Sequence, residues 1–143
     1  MSTRLLFSNH NPETHISTVT IATDIGEFTA SVTCREEDYE NESRYFGCTL
    51  AEMKALMKYA TAKRFAAENQ FKSLERYYNT MVGTRTFSMY TFWFKKLEQE
   101  LHKTADEIRK WKDYRNSLKY AYYMQISTRD RFLNTPSIKE LLK

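Results

Sequence analysis

Glycine, proline and cysteine are scarce, at three, two and two in 143 residues. Three glycines cannot supply a P-loop or a dinucleotide fingerprint, each of which needs several at fixed spacing, so nucleotide enzymes built on Gly-rich loops are excluded. Cys34 and Cys48 match neither a zinc spacing nor a redox pair, and two reduced thiols in a cytosolic protein are expected. Long apolar runs are also missing. No window approaches the roughly 18 apolar residues of a membrane span, and Met1 to His10 is neither basic nor followed by an apolar stretch, so no membrane association is expected.

Positive charge is missing from the start of the chain. Residues 1–48 carry three basic and eight acidic side chains, which leaves 19 basic and 10 acidic ones for the other 95 residues. A basic, aromatic-rich segment attracts anions such as phosphates, nucleotides or nucleic acid, although a solvated face on long helices gives the same count.

The hydrophobic period changes near residue 48. Between Ile16 and Cys34 it is two-fold: Val19 and Ile21 alternate with threonines, then Phe28, Ala30, Val32 and Cys34 with Thr29, Ser31 and Thr33. This predicts an antiparallel hairpin turning through Asp24-Ile25-Gly26. Arg4 to Ser8 adds a third strand, with Asn9-His10-Asn11-Pro12 as its turn. The acidic stretch 35–45 reads as a surface loop or a frayed turn.

From Thr49 the period is helical. Thr49 and Glu52 form a capping-box pattern. Leu50, Met53, Met57, Ala60, Arg64, Ala67, Phe71, Leu74 and Tyr78 recur at spacings of three and four, a coiled-coil seam. A second seam runs from Tyr90 through Phe94, Leu97, Leu101, Thr104, Ile108, Trp111, Arg115 and Leu118 to Tyr122. Asn79 to Ser88, with Gly83, separates them. The expected fold is α+β in a single domain: a small N-terminal antiparallel β-sheet (1–48), a long antiparallel α-helical hairpin (49–126), and a tail (127–143). In the tail, Pro136 opens a short helix over Ser137 to Leu142, capped by Asn134 or Thr135. Helices of about 45 Å outrun strands of about 26 Å. Phe92, Trp93, Tyr120 and Tyr123 therefore stay uncovered, which favours a homo-oligomer.

Residues for catalysis are few. His10, His15 and His102 are scattered, no metal site is expected, and no GxSxG or HExxH motif occurs. Paired carboxylates such as Glu36/Glu37 sit in charge runs typical of a solvated face. The informative residues are Arg64 and Arg115, each at a seam position that calls for an apolar side chain. A charge withdrawn from water needs a partner. With the turn near Gly83 to Arg85, Arg64 would face Thr104 or Ala105 and Arg115 would face Lys54, so an external anion is invited; phosphate suits a guanidinium fork. The simpler alternative is that Arg64 pairs with Glu68 or with an acidic residue of the N-terminal loop, or snorkels to solvent. The connection 81–90 adds Arg85 and Phe87, a cation and an aromatic that can close over a ligand and stack on a base.

The order of these parts, with the strand Phe28-Thr-Ala-Ser-Val-Thr-Cys34, an acidic link, Phe46-Gly47-Cys48-Thr49-Leu50-Ala51-Glu52 and a long basic helical hairpin, resembles small phage proteins of the Thoeris anti-defence family. The resemblance covers about residues 16–120 as architecture. It implies a non-catalytic, homo-oligomeric sponge in the host cytoplasm, needing no cofactor, that sequesters cyclic ADP-ribose isomers made by defence TIR enzymes and, in some members, cyclic oligonucleotides. It further implies helix arginines on the phosphates and an inter-helix aromatic on the base. Arg64, Arg115 and Phe87 are the positions of those types here, with Arg85 and Arg109 as substitutes. The competing reading is an inhibitor or scaffold that binds a host protein through the helical hairpin. Nucleic-acid binding through the basic part ranks behind both, and enzymatic activity ranks last.

Overall fold

The computed structural model describes residues 3–82 and 91–134. The fold is α+β: strands β1 (Thr3–Asn11), β2 (Ile16–Thr23) and β3 (Gly26–Thr33), a 3₁₀ turn (Glu36–Asn41), and the long helices α1 (Arg44–Val82) and α2 (Thr91–Leu133). The sheet is antiparallel in the order β1-β2-β3. Alternation decides its faces. Ser17, Val19 and Ile21 of β2 and Ala30 and Val32 of β3 are buried, whereas Thr18 and Thr20 point outward and bond Ser31 and Thr29 across the ladder at 2.8 Å. The β2–β3 turn falls at Asp24-Ile25, as the sequence predicts, and closes on Gly26 at φ 128°, a conformation costly for any residue with a β-carbon.

Several boundaries differ from expectation. β1 runs on to Asn11, so His10 is a strand residue paired with Ser17 and not part of a turn. The turn lies beyond it: Asn11 Oδ1 accepts the Glu13 amide, and His15 takes a left-handed φ of 60°. Of the two readings of the acidic link, the turn is the one found: about half of it is the 3₁₀ turn. Helix α1 starts five residues before the Thr49 capping pattern, because Ser43 Oγ accepts the Phe46 amide and serves as the cap, while Thr49 Oγ1 donates to Tyr45 O inside the helix. At the other end α1 continues through Asn79 to Val82. Helix α2 extends past residue 126 into the expected tail. The short helix expected at Ser137 to Leu142 lies outside the described residues.

The chain divides into two compact units, Met1–Tyr59 with Arg115–Lys143, and Ala60–Tyr114. In the first, α1 turns the stripe Gly47, Ala51, Ala55 and Tyr59 toward the sheet. Ala51 and Ala55 are fully buried, Tyr59 packs edge-on against Phe28 at 5.9 Å, and its hydroxyl donates to Asp24. Small residues at i, i+4 let helix and sheet approach closely. Its α1 and α2 segments run antiparallel, with Arg129 over Phe46 and Lys54 over Tyr122. In the second unit Lys63 lies over Trp111, and Tyr78 meets Phe94 edge-on and donates to Glu98 at 3.1 Å. The seam residues Ala67, Phe94, Leu97, Thr104 and Trp111 are buried there.

Candidate functional site

The hairpin register overturns the expected neighbours of the seam arginines. Lys63 sits beside Trp111, so Arg64 is displaced by more than one helical turn from Thr104 and Ala105. Arg64 Nε instead donates to Glu68 Oε1 at 3.0 Å within α1, the simpler alternative. Lys54 lies over Tyr122, not opposite Arg115. Arg115 keeps an unusual status: its Nε is buried and has no hydrogen-bond partner among the described residues. Arg109 is a solvated side chain 3.8 Å from Asp106. Arg85 and Phe87 lie outside the described residues. Arg64 belongs to the second compact unit and Arg115 to the first.

The first unit contains a pocket of about 220 Å³ that the sequence reading did not anticipate. Its floor is the end of β3 and the residue after it, Val32 to Cys34; its walls are Phe46, Gly47 and Leu50 of α1 and Tyr122, Ile126 and Arg129 of α2. Polar groups come from His10 and Ser17 of the sheet, from Asp38 of the 3₁₀ turn and from Glu42 just after it.

Glu42 organises this end. Its carboxylate lies 3.0 Å from His10 Nε2 and 3.0 Å from His15 Nδ1. A carboxylate only accepts, so both ring nitrogens carry protons; in the neutral ring His10 Nδ1 then accepts from the Ser17 hydroxyl at 2.7 Å. His15 is stacked on Tyr39 with centroids 3.7 Å apart, which ties the hairpin turn to the 3₁₀ turn. Serine, imidazole and carboxylate follow one another in the order of a nucleophile relay. However, Ser17 is only 2% exposed and packed beneath Gly47, where a β-carbon would overlap its hydroxyl. The chain of bonds works as a buried tie.

The charges around the pocket are assigned almost completely. Arg35 donates to Asp38 at 2.7 Å and to Asp130 at 2.6 Å, and hydrogen bonding to Asp130 and then Asp38 raises its pKa. Glu42 is taken by the histidines. Arg129 is what remains: it donates to the Asn41 carbonyl and lies 4.3 Å from the Phe46 ring centroid, with no carboxylate partner among the described residues. Desolvation, followed by the Glu42 and Asp38 carboxylates, pushes the Cys34 thiol up, so it is a poor nucleophile at neutral pH. Among the described residues no group of three or more His, Cys, Asp and Glu side chains is placed to hold a metal ion.

Sequence reasoning missed His10, His15 and Glu42 because their contact depends on the β1–β2 register and on the return of the acidic link. The available signal was the five-residue spacing of His10 and His15 around Asn11-Pro12, which straddles a turn. Among the described residues no helix is long and apolar enough to cross a membrane. Compared with protein-family models, with curated proteins and with solved structures, the chain matches none.

Proposed function

We propose that this protein is a non-catalytic binding protein that sequesters a small nucleotide-derived anion, of the cyclic ADP-ribose type or a cyclic oligonucleotide, as an anti-defence sponge. The observation that carries the reading is Arg129, a cation without a carboxylate partner among the described residues, held over Phe46 in a pocket shared with Tyr122. Guanidinium binds phosphate through charge-assisted forked hydrogen bonds, and the two aromatic rings offer stacking surfaces for a base. The buried Nε of Arg115 is a second donor in need of an acceptor. The resemblance to the Thoeris anti-defence family supports the ligand class. A volume of about 220 Å³ takes part of such a ligand, below the roughly 300 Å³ at which whole small-molecule sites begin.

The test is recovery of the ligand. Cyclic ADP-ribose isomers and cyclic dinucleotides are incubated with the protein, unbound material is removed, and the protein is denatured by heat. Sequestration returns the bound compound chemically intact in stoichiometric amount; a converted product, or none retained, overturns the reading.

A second reading has its own observation. Phe92 and Trp93 at the start of α2, and Tyr120 and Tyr123 further along it, are large and exposed. Such side chains dominate protein interfaces, which favours a host-protein partner bound by the helices. A single host protein captured at equimolar yield, and lost with Phe92→Ser and Trp93→Ser, is the result this reading requires.

A further inference from the structure

The pocket holds a second group with an unused bond besides Arg129, and it originates in the 3₁₀ turn. The Asp38 amide donates to the Arg35 carbonyl at 2.9 Å, which brings the two side chains, three residues apart, to one side of the turn. Arg35 Nε then reaches Asp38 Oδ2 at 2.7 Å, and Arg35 Nη2 reaches Asp130 Oδ1 at 2.6 Å. Arg35 is held at two points, and Asp38 is held with it.

Only one oxygen of that carboxylate is used. Asp38 lines the pocket with its side chain only 16% exposed, and its Oδ1 has no hydrogen-bond partner among the described residues. Glu42, the other carboxylate of the lining, accepts from an imidazole on each oxygen. Cys34 lies in the same lining: after desolvation, the Glu42 and Asp38 carboxylates raise the pKa of its thiol and Arg129 lowers it. Asp38 and Arg129 therefore act on one space with opposite charge.

We infer that Asp38 determines specificity at this pocket: Oδ1 accepts a sugar hydroxyl of a nucleotide whose phosphate Arg129 holds, and its charge repels phosphates that bring no donor. An ionised carboxylate only accepts, so it opposes a bare anion and needs an O–H or N–H group in front of it. Arg129 alone would take any phosphate; Asp38 adds the repulsive element that discrimination requires. In a nucleotide the sugar lies between the phosphate and the base, and a base stacked on Phe46 or Tyr122 leaves a sugar hydroxyl as the donor nearest the phosphate. The inference rests on the binding function proposed above and narrows it to compounds that carry a phosphate and a free ribose hydroxyl together.

The test is titration of the full-length wild type and Asp38→Asn with inorganic pyrophosphate, cyclic ADP-ribose isomers and cyclic di-AMP, together with deoxy forms of each nucleotide that binds. Asparagine keeps the shape, offers its carbonyl oxygen to Arg35 and places an N–H₂ group where the hydroxyl must donate. Asp38→Asn weakens the bound nucleotide by at least about tenfold and strengthens pyrophosphate. In the wild type one deoxy form loses a similar factor, and Asp38→Asn costs that form nothing more. Partial unfolding cannot move two ligands in opposite directions, and the turn that carries Asp38 buries none of its residues. If nucleotide and pyrophosphate weaken together, if every deoxy form binds like its parent, or if Asp38→Asn leaves intact a nucleotide that Arg129→Ala releases, this inference is overturned and the binding function stands. A wild type that binds none of the nucleotides overturns both.

Discussion

The backbone of Gly47 in α1 lies directly on the side chain of Ser17 in β2: a β-carbon at position 47 would overlap the serine hydroxyl and sit 3.0 Å from its Cβ. Helix and sheet meet there without an intervening side chain, and the Ser17–His10–Glu42 chain of hydrogen bonds is sealed beneath the contact.

Gly47→Ala therefore reverses the usual sign of a helix substitution. In an open helix alanine gains about 1 kcal/mol over glycine. Here overlap with Ser17 outweighs that gain, and the variant loses about 1–3 kcal/mol. Ser17→Gly on the same background returns part of the loss. Chemical denaturation of the two variants checks both statements; a Gly47→Ala protein more stable than the wild type contradicts the packing.

Glu42→Ala leaves two imidazole N–H groups without their acceptor, on His10 and His15. A loss of about 1–3 kcal/mol follows. Because Asn41, whose carbonyl orients Arg129, adjoins Glu42, the variant also weakens ligand binding at the pocket. Thermal unfolding and titration of one preparation measure the two effects.

The raised pKa of Cys34 has a definite direction. At pH 7 to 8 less of this thiol is thiolate than in an unfolded chain, so alkylation by iodoacetamide is slower in the native protein than in denaturant and accelerates only at more alkaline pH. The sign for stability follows: the folded state holds this proton more tightly, so its contribution is complete below the ordinary thiol range and is lost as pH rises through the raised value. Mass-resolved alkylation rates against pH check it. A Cys34 rate that is greater in the native state contradicts the burial and the carboxylate neighbours.

Arg115 and Arg64 separate. Replacing Arg115 with Met removes a buried donor that has no partner among the described residues, so the free protein is unchanged or about 1 kcal/mol more stable, while ligand affinity falls. Arg64→Ala breaks one i, i+4 pair with Glu68, which is only partly buried, and costs about 0.5 kcal/mol or less. Denaturation curves of both variants distinguish them.

The elements of this fold were legible wherever a period repeats over many residues. The threonine alternation of Thr18, Thr20, Thr29 and Thr33 marks the hairpin, and the seams from Leu50 and Phe94 mark the helices. Boundaries were less so, because local patterns compete: Thr49 and Glu52 have capping spacing, but Ser43 is reached first and takes the role. The small residues Gly47, Ala51 and Ala55 recur at i, i+4 ahead of Tyr59, but a run of small side chains does not say which element will pack on it. The pocket was illegible for a different reason. His10, Glu42 and Arg129 meet through strand register, the return of the acidic link and the far end of α2, and no window of sequence contains those three relations. Arg64 misled because a seam cation invites an external partner, whereas Glu68 was four residues away.

The most direct measurement is calorimetric titration at physiological salt of the wild type, Arg129→Ala and Arg64→Ala with a panel of cyclic ADP-ribose isomers and cyclic dinucleotides. The account predicts saturable, stoichiometric heat from at least one compound, affinity lower by about 10- to 100-fold in Arg129→Ala, and wild-type affinity in Arg64→Ala. Silence across the panel, or binding that Arg129→Ala leaves intact, contradicts it.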